Sequence, residues 1–329
     1  MITDVHAHII VPALLREAAP GDPWRPHVFW ENGRQVIEHG GRRLTSAVRE
    51  IVHADGILAA QDAAGVDRLV LSPWASLLCY EAPPADGLRV SRTYNEALAR
   101  LAEAYPDRVR ALGTVPLQDP ALAAREIETV MRLPGLCGVE VAASVNGAYL
   151  GDDRFRPFWA AAEAAGAVVF VHPTTRGFDL PAFADYSLWN AVGNPLETTI
   201  TAAQMVMAGV METHPRLKVV LAHGGGALPA LRGRLRRAHQ VTAPARARLR
   251  EPVEASLRRF YYDTLTHDAA VLRGLVEFAG ADRVVLGSDY PFDMGLERPV
   301  DAVRALGLPP DDEAKILGGN AARLLASGA

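Results

Sequence analysis

Short runs of β-branched and small apolar residues alternate along this chain with segments whose apolar residues recur every three or four positions. The runs predict strands over Thr3–Ile9, Arg68–Ser72, Val109–Val115, Gly138–Ala142, Val168–His172, Lys218–His223, Phe260–Thr264 and Arg283–Asp289. Several are continuously apolar, such as VVFV and KVVLA, which suits parallel strands covered on both faces. Helices are predicted between them. Val90–Tyr105 stops at Pro106, Ala121–Leu133 lies between Pro120 and Pro134, and Phe155–Ala165 stops at Gly166. Thr198–His214 stops at Pro215, and Ala269–Ala279 at Gly280. Eight strands alternating with helices predict an α/β chain closed into a (β/α)8 TIM barrel.

Two segments break the rhythm. Residues 11–54 carry Asn32-Gly33 and Gly40-Gly41, both tight-turn signals, and predict a small hairpin or three-stranded β insertion after strand one. Thr174 to Asn194 holds Phe178, Phe183, Tyr186 and Trp189, which could wall a substrate or form a satellite apolar cluster. A barrel with one insertion accounts for residues 1–329 as a single domain.

Composition narrows the partners. Apolar residues make up 49 % and charged residues 22 % of the 329, ordinary for a globular protein. A net charge of −4 argues against nucleic acid or an anionic membrane as the main partner. No apolar run reaches the ~20 residues that span a bilayer, and MITDVHAHII lacks a secretory pattern. Cys79 and Cys137 form no C-x-x-C pair and read as thiols in a reducing compartment. These features predict a cytoplasmic protein.

The candidate chemistry sits at strand ends. His6 and His8 are two residues apart in a strand and so share a face. His172, His223 and Asp289 close strands five, six and eight. In a closed barrel these ends converge on one mouth, with strand one beside strand eight. Such a set of imidazoles and a carboxylate suits Zn²⁺, with Mn²⁺ or Fe²⁺ as less specific alternatives. Packing alone accounts for it poorly, because each residue would be a buried polar group without a partner. The glycines that follow His223, Gly224 to Gly226, read as a tight strand-to-helix turn rather than a phosphate loop.

The motifs D-V-H-A-H at 4–8, V-H-P at 171–173, A-H-G-G-G at 222–226 and G-S-D-Y-P-F at 287–292 resemble the amidohydrolase superfamily. More narrowly, they resemble its branch related to aminocarboxymuconate-semialdehyde decarboxylase. V-P-L-Q-D at 115–119, N-P-L-E-T at 194–198 and G-N-A-A-R at 319–323 extend the likeness over nearly the whole chain. The resemblance implies that His6, His8, His172 and Asp289 hold one divalent metal, usually zinc. It implies that His223 acts as general acid/base, with Asp289 as the other group able to deliver a proton. Arg49 would hold the substrate carboxylate, with Trp189 and Phe292 against the substrate. Arg234 would reach the active site of a neighbouring subunit, which implies a homodimer.

The implied reaction is loss of CO2 from an aromatic or muconate-like carboxylic acid. The alternative is hydrolysis of a lactone, ester or amide by metal-bound hydroxide. A non-catalytic metal-binding barrel is disfavoured by the intact residue set. Thr174 and Thr175 stand where the decarboxylase that names the branch has tryptophan, so hydroxybenzoate-type acids compete with muconates as substrate. No lysine on strand four can bridge two metals. Glu140 on that strand reads as a core carboxylate paired with an arginine, or as a bridge to a second metal.

Overall fold

The computed structural model describes residues 1–174, 178 and 180–326; Thr175 lies outside the described residues. In chain order the strands are β1 (Thr3–His8), β2 (His27–Glu31), β3 (Arg34–His39), β4 (Arg42–Ala47), β5 (Arg68–Ser72), β6 (Val109–Gly113) and β7 (Leu136–Ala142). They continue as β8 (Ser144–Val145), β9 (Ala148–Tyr149), β10 (Val168–His172), β11 (Lys218–Leu221), β12 (Tyr261–Asp263) and β13 (Val284–Val285). Eight of them form one sheet in the order β1-β5-β6-β7-β10-β11-β12-β13. Every neighbouring pair in it is parallel. Backbone bonds from the last strand's continuation to β1 close the ring. Val5 N donates to Leu286 O at 2.9 Å, Asp289 N to His6 O at 2.8 Å and His8 N to Tyr290 O at 2.9 Å. The fold is therefore the (β/α)8 barrel that the alternation predicts.

Two apolar layers hold it. Inside, Val5, Val70, Leu112, Phe170, Val220 and Val285 pack on Ala321 and Leu324 of the last helix, Asn320–Leu325, which plugs the barrel floor. Asn320 latches that helix, its amide donating to Ala281 O at 2.7 Å and Val284 O at 2.6 Å. The G-N-A-A-R motif is thus a structural fastening. Outside, Ala7, Leu69, Leu71, Val139 and Val169 pack against the surrounding helices. The V-P-L-Q-D motif has a local role too: Asp119 caps the helix Pro120–Met131 by accepting from Leu122 N at 3.0 Å.

The insertion is a three-stranded antiparallel sheet, β2-β3-β4, joined by two-residue turns. Asn32 and Gly33, then Gly40 and Gly41, all have positive φ, as such turns require. The sheet contributes Ile37 and Ala47 to a cluster with Ile10, Trp74 and Leu77, on which Phe292 packs. It therefore braces one side of the mouth.

Some boundaries differ from expectation. β13 is two residues long, because Leu286 to Tyr290 bond to β1 through isolated contacts rather than a regular ladder. The helix expected over 198–214 begins earlier, at Asn194, after a π-helical stretch Trp189–Gly193. It ends at Met207; Gly209, at φ 73°, separates it from the short helix Val210–Thr213. Among the described residues, no helix is long and apolar enough to cross a membrane.

Candidate active site

His6 and His8 lie on β1, His172 ends β10, and Asp289 follows β13 with φ 58°. Their side chains meet at the C-terminal mouth. The ring centroids are 5.1 Å apart for His6 and His8, 5.2 Å for His6 and His172, and 4.9 Å for His8 and His172. Each ring is anchored at Nδ1 by a group that only accepts. His6 Nδ1 donates to Asp263 Oδ2 at 2.7 Å, His8 Nδ1 to Pro73 O at 2.9 Å and His172 Nδ1 to Pro173 O at 2.9 Å. Those bonds place the proton on Nδ1 and turn each Nε2 lone pair inward.

All three Nε2 atoms are buried without a hydrogen-bond partner, and so is Asp289 Oδ1. The carboxylate oxygen lies 3.3 Å from His6 Nε2 and 3.2 Å from His8 Nε2. Four orphaned acceptors would each cost about 1–3 kcal/mol if nothing satisfied them. A divalent cation satisfies all four at once, and the N/O donor set is one such ions prefer.

Charge at the site points the same way. Burial pushes the Asp289 carboxyl up, but His6 foremost, with His223 and His8, holds it well below the usual carboxylate range. Burial lowers His6, but Asp289 and Asp263 outweigh it and raise the ring to about 10. The pocket therefore calls for a positive charge, which a proton or a metal ion can supply. His172 is driven well below its usual value by burial and by the neighbouring imidazoles, and so stays neutral and able to ligate.

His223 differs from the other three. It starts a turn in which His223, Gly224, Gly225 and Gly226 have φ of 56°, 60°, 74° and 62°. At Gly226 a Cβ would collide with Pro195 O, so the turn admits no side chain there. The sequence-predicted tight turn is what forms. His223 Nε2 lies 3.5 Å from Asp289 Oδ2, while Nδ1 has no partner. The side chain is 12 % exposed, against 0 % for His6 and His8. Distance alone does not separate the roles: His6, His172, His223 and Asp289 each offer one atom within 4.8 Å of the others. Of the four histidines, only His223 lines the open cavity of about 270 Å³ that Asp289, Asn194, Thr266, His267 and Met294 also border.

The other residues expected at the site are more dispersed. Phe292 reaches it, its ring 5.6 Å from His8 and 5.4 Å from Trp74. Arg49 lies in a small cleft beside Tyr290 and Phe292 and pairs with Glu297 at 3.0 Å, not with adjacent Glu50. Trp189 is half-buried and borders neither large cavity, although its neighbours Asn190 and Ala191 border the His223 cavity. Arg234 is exposed on the helix Leu228–Val241 and borders no cavity described for its own chain. Glu140 is fully buried, and the basic side chain beside it is the imidazole of His8, with Nδ1 at 3.6 Å, rather than an arginine. Burial raises its carboxyl to about 7, with His8 opposing. Thr174 donates to Glu197 of the N-P-L-E-T motif through its backbone N at 2.7 Å and its hydroxyl at 2.8 Å. The two residues border a second cavity of about 270 Å³ with Ser144 and Tyr149.

Two carboxylates went unmarked in the sequence. Asp4 accepts from His6 N at 2.9 Å and from the backbone and hydroxyl of Ser288, tying β1 to the last strand. Asp263 anchors His6. It ends the run F-Y-Y-D, so the strand-end rule that picked out Asp289 applies to it as well.

A closed barrel with three histidines and a carboxylate converging at its mouth is an arrangement suited to a divalent metal ion. Residues 3–326 match the family model described as Amidohydrolase. The chain belongs to the amidohydrolase family, on its aminocarboxymuconate-semialdehyde decarboxylase-like branch. It is 32 % identical over 264 residues to 2-amino-3-carboxymuconate-6-semialdehyde decarboxylase of Dictyostelium discoideum, covering 79 % of this chain and 73 % of that one. The crystal structure of 5-carboxyvanillate decarboxylase from Sphingomonas paucimobilis matches with a TM-score of 0.79 and 28 % identity over 98 % of both chains. A dihydroxybenzoic acid decarboxylase from Polaromonas, solved with manganese and 2-nitroresorcinol, shares the fold at a TM-score of 0.78 and 23 % identity, covering 98 % of this chain and 96 % of that one.

Proposed function

We propose that this protein is a metal-dependent, non-oxidative decarboxylase of a small aromatic or muconate-like carboxylic acid. The observation that carries the reading is the set of three inward Nε2 lone pairs beside Asp289, with His223, alone of the four clustered histidines, bordering the cavity next to Asp289. His6, His8, His172 and Asp289 would hold one divalent ion, zinc foremost. That ion supplies positive charge that polarises a substrate oxygen and offsets the charge left as CO2 departs. Glu140 lies beside the Nδ1 edge of His8, which supports one ion rather than two.

His223 delivers a proton to the carbon that loses the carboxyl group. Its cavity-side position and unanchored Nδ1 leave it free to exchange that proton with solvent between turnovers. Phe292 and Trp189 flank the ring of the substrate, and Asp289 holds His223 by its second oxygen. Arg49 orients the departing carboxylate. Its partner Glu297 is 80 % exposed, and a surface pair of that kind contributes about 0–1 kcal/mol, so a substrate carboxylate can displace it. Removing a charge-assisted bond costs about 1.5–3 kcal/mol. Arg49→Ala should therefore raise KM roughly 10–100-fold in steady-state assays, with Arg49→Lys intermediate. An unchanged KM in both would remove Arg49 from the site.

Arg234 completes the site from a second subunit of a homodimer. It makes no ion pair among the described residues and borders no cavity of its own chain, in keeping with a role across an interface. Mixing an Arg234→Ala subunit with a His223→Ala subunit then regenerates one intact site per heterodimer. Activity should reappear on mixing. Two inactive proteins that stay inactive after verified subunit exchange would refute the shared site. We read residues 1–329 as one domain with its insertion at about 11–54, acting in the cytoplasm, where the thiols of Cys79 and Cys137 stay reduced.

A further inference from the structure

Asp263 has no place in the roles assigned above, yet it accepts more hydrogen bonds at the site than any ligand. It is fully buried at the end of β12. Its Oδ2 accepts from His6 Nδ1 at 2.7 Å and from His223 N at 2.9 Å. Its Oδ1 accepts from Gly224 N at 2.7 Å and from Leu265 N at 3.1 Å. Four donors on two oxygens suit only an ionised carboxylate. The packing around it is close. A Cβ on Gly287 would meet both Asp263 Cβ and His6 Cβ at 2.9 Å, so the contact depends on a glycine there.

We propose that Asp263 is a positioning residue that sets the metal ligand and the acid/base residue together. One oxygen fixes the His6 proton on Nδ1 and so presents Nε2 to the metal. The same oxygen, with its partner, holds the backbone of His223 and Gly224 in the left-handed conformation that carries the His223 ring to Asp289. One side chain thus holds both the His6 ring and the backbone that carries His223. Asparagine cannot reproduce this. Either orientation of its amide turns an NH2 group towards two donors that need an acceptor.

The proposal rests on the metal-dependent reading, so its test reads the metal directly as well as turnover. Asp263→Asn protein, loaded with Co²⁺, should bind the ion about 10–100-fold more weakly. Its visible Co²⁺ absorption should shift. At saturating metal its kcat should fall by a similar factor with KM nearly unchanged. A structural role alone would lower the melting temperature but leave Co²⁺ affinity, spectrum and metal-saturated kcat at wild-type values, and that result overturns the proposal. Should the variant not fold, wild-type protein loaded with Zn²⁺ decides. Long-range ¹H–¹⁵N spectra should show His6 bound through Nε2 with its Nδ1 proton retained, whereas ligation through Nδ1 refutes it. A protein that shows these metal effects but releases no CO2 from any acid would refute the decarboxylase reading and leave Asp263 in place.

Discussion

His223→Ala protein should turn over about 10²–10⁴-fold more slowly than wild type while retaining a full complement of metal. The loss is the contribution of a positioned proton donor, and the retained metal follows from how the four histidines are held. His6, His8 and His172 are each locked by a bond at Nδ1, so their Nε2 atoms have nowhere else to go. His223 has no such bond at Nδ1; its ring meets Asp289 Oδ2 only at 3.5 Å through Nε2, and its backbone is held by Asp263. A group that must exchange a proton with substrate and solvent needs that freedom, and a ligand does not. The measurement pairs steady-state kinetics with metal analysis of the purified variant. Because a His223 nitrogen lies within 4.8 Å of ligand atoms of His6, His172 and Asp289, the opposite result is physically open. Loss of metal would make His223 a ligand.

His172→Ala should give the reverse pattern, with metal lost first and activity lost as a consequence. The expected fall in affinity exceeds the roughly 10–100-fold that outer partners of a metal site cost, because a ligand itself is gone. Thermal unfolding shows this without an assay. Adding metal at 100 times its Kd stabilises a folded protein by about 2.7 kcal/mol. The wild type should show that rise in melting temperature, and the variant should show little of it at the same metal concentration. A variant with undiminished metal-induced stabilisation would place His172 outside the ligand set.

Much of the site was legible because a parallel barrel makes strand ends meaningful. His172 and Asp289 each follow an apolar run, and a polar side chain carried to the mouth by a buried strand is costly there unless something binds it. His6 and His8 were legible from spacing alone, since alternate residues share a face. The insertion was legible from Asn32-Gly33 and Gly40-Gly41, whose positive φ only such residues adopt readily. Asp263 was not picked out, although it obeys the same strand-end rule, because its work is to hold other residues rather than to ligate. The brevity of β13 was hidden for a different reason. Its apolar run continues through Leu286, but isolated bonds to β1 replace the ladder there. Glu140 shows a third limit. An inward carboxylate was foreseeable, but its partner was not, because a histidine already committed to an acceptor takes the place an arginine would fill. Arg49 is the intermediate case, close to Phe292 as expected but paired with Glu297 from a loop distant in sequence.

Decarboxylation by proton delivery at a metal-centred site is tested most directly by turnover in D2O. Metal-reconstituted enzyme is offered a panel of ortho-hydroxybenzoates and carboxymuconate semialdehydes, and CO2 and product are quantified together. The predicted result is one CO2 per product, a single deuterium on the carbon that carried the carboxyl group, and no reaction after chelation until a divalent ion is restored. Cleavage of a lactone, ester or amide panel with no CO2 from any acid would contradict it.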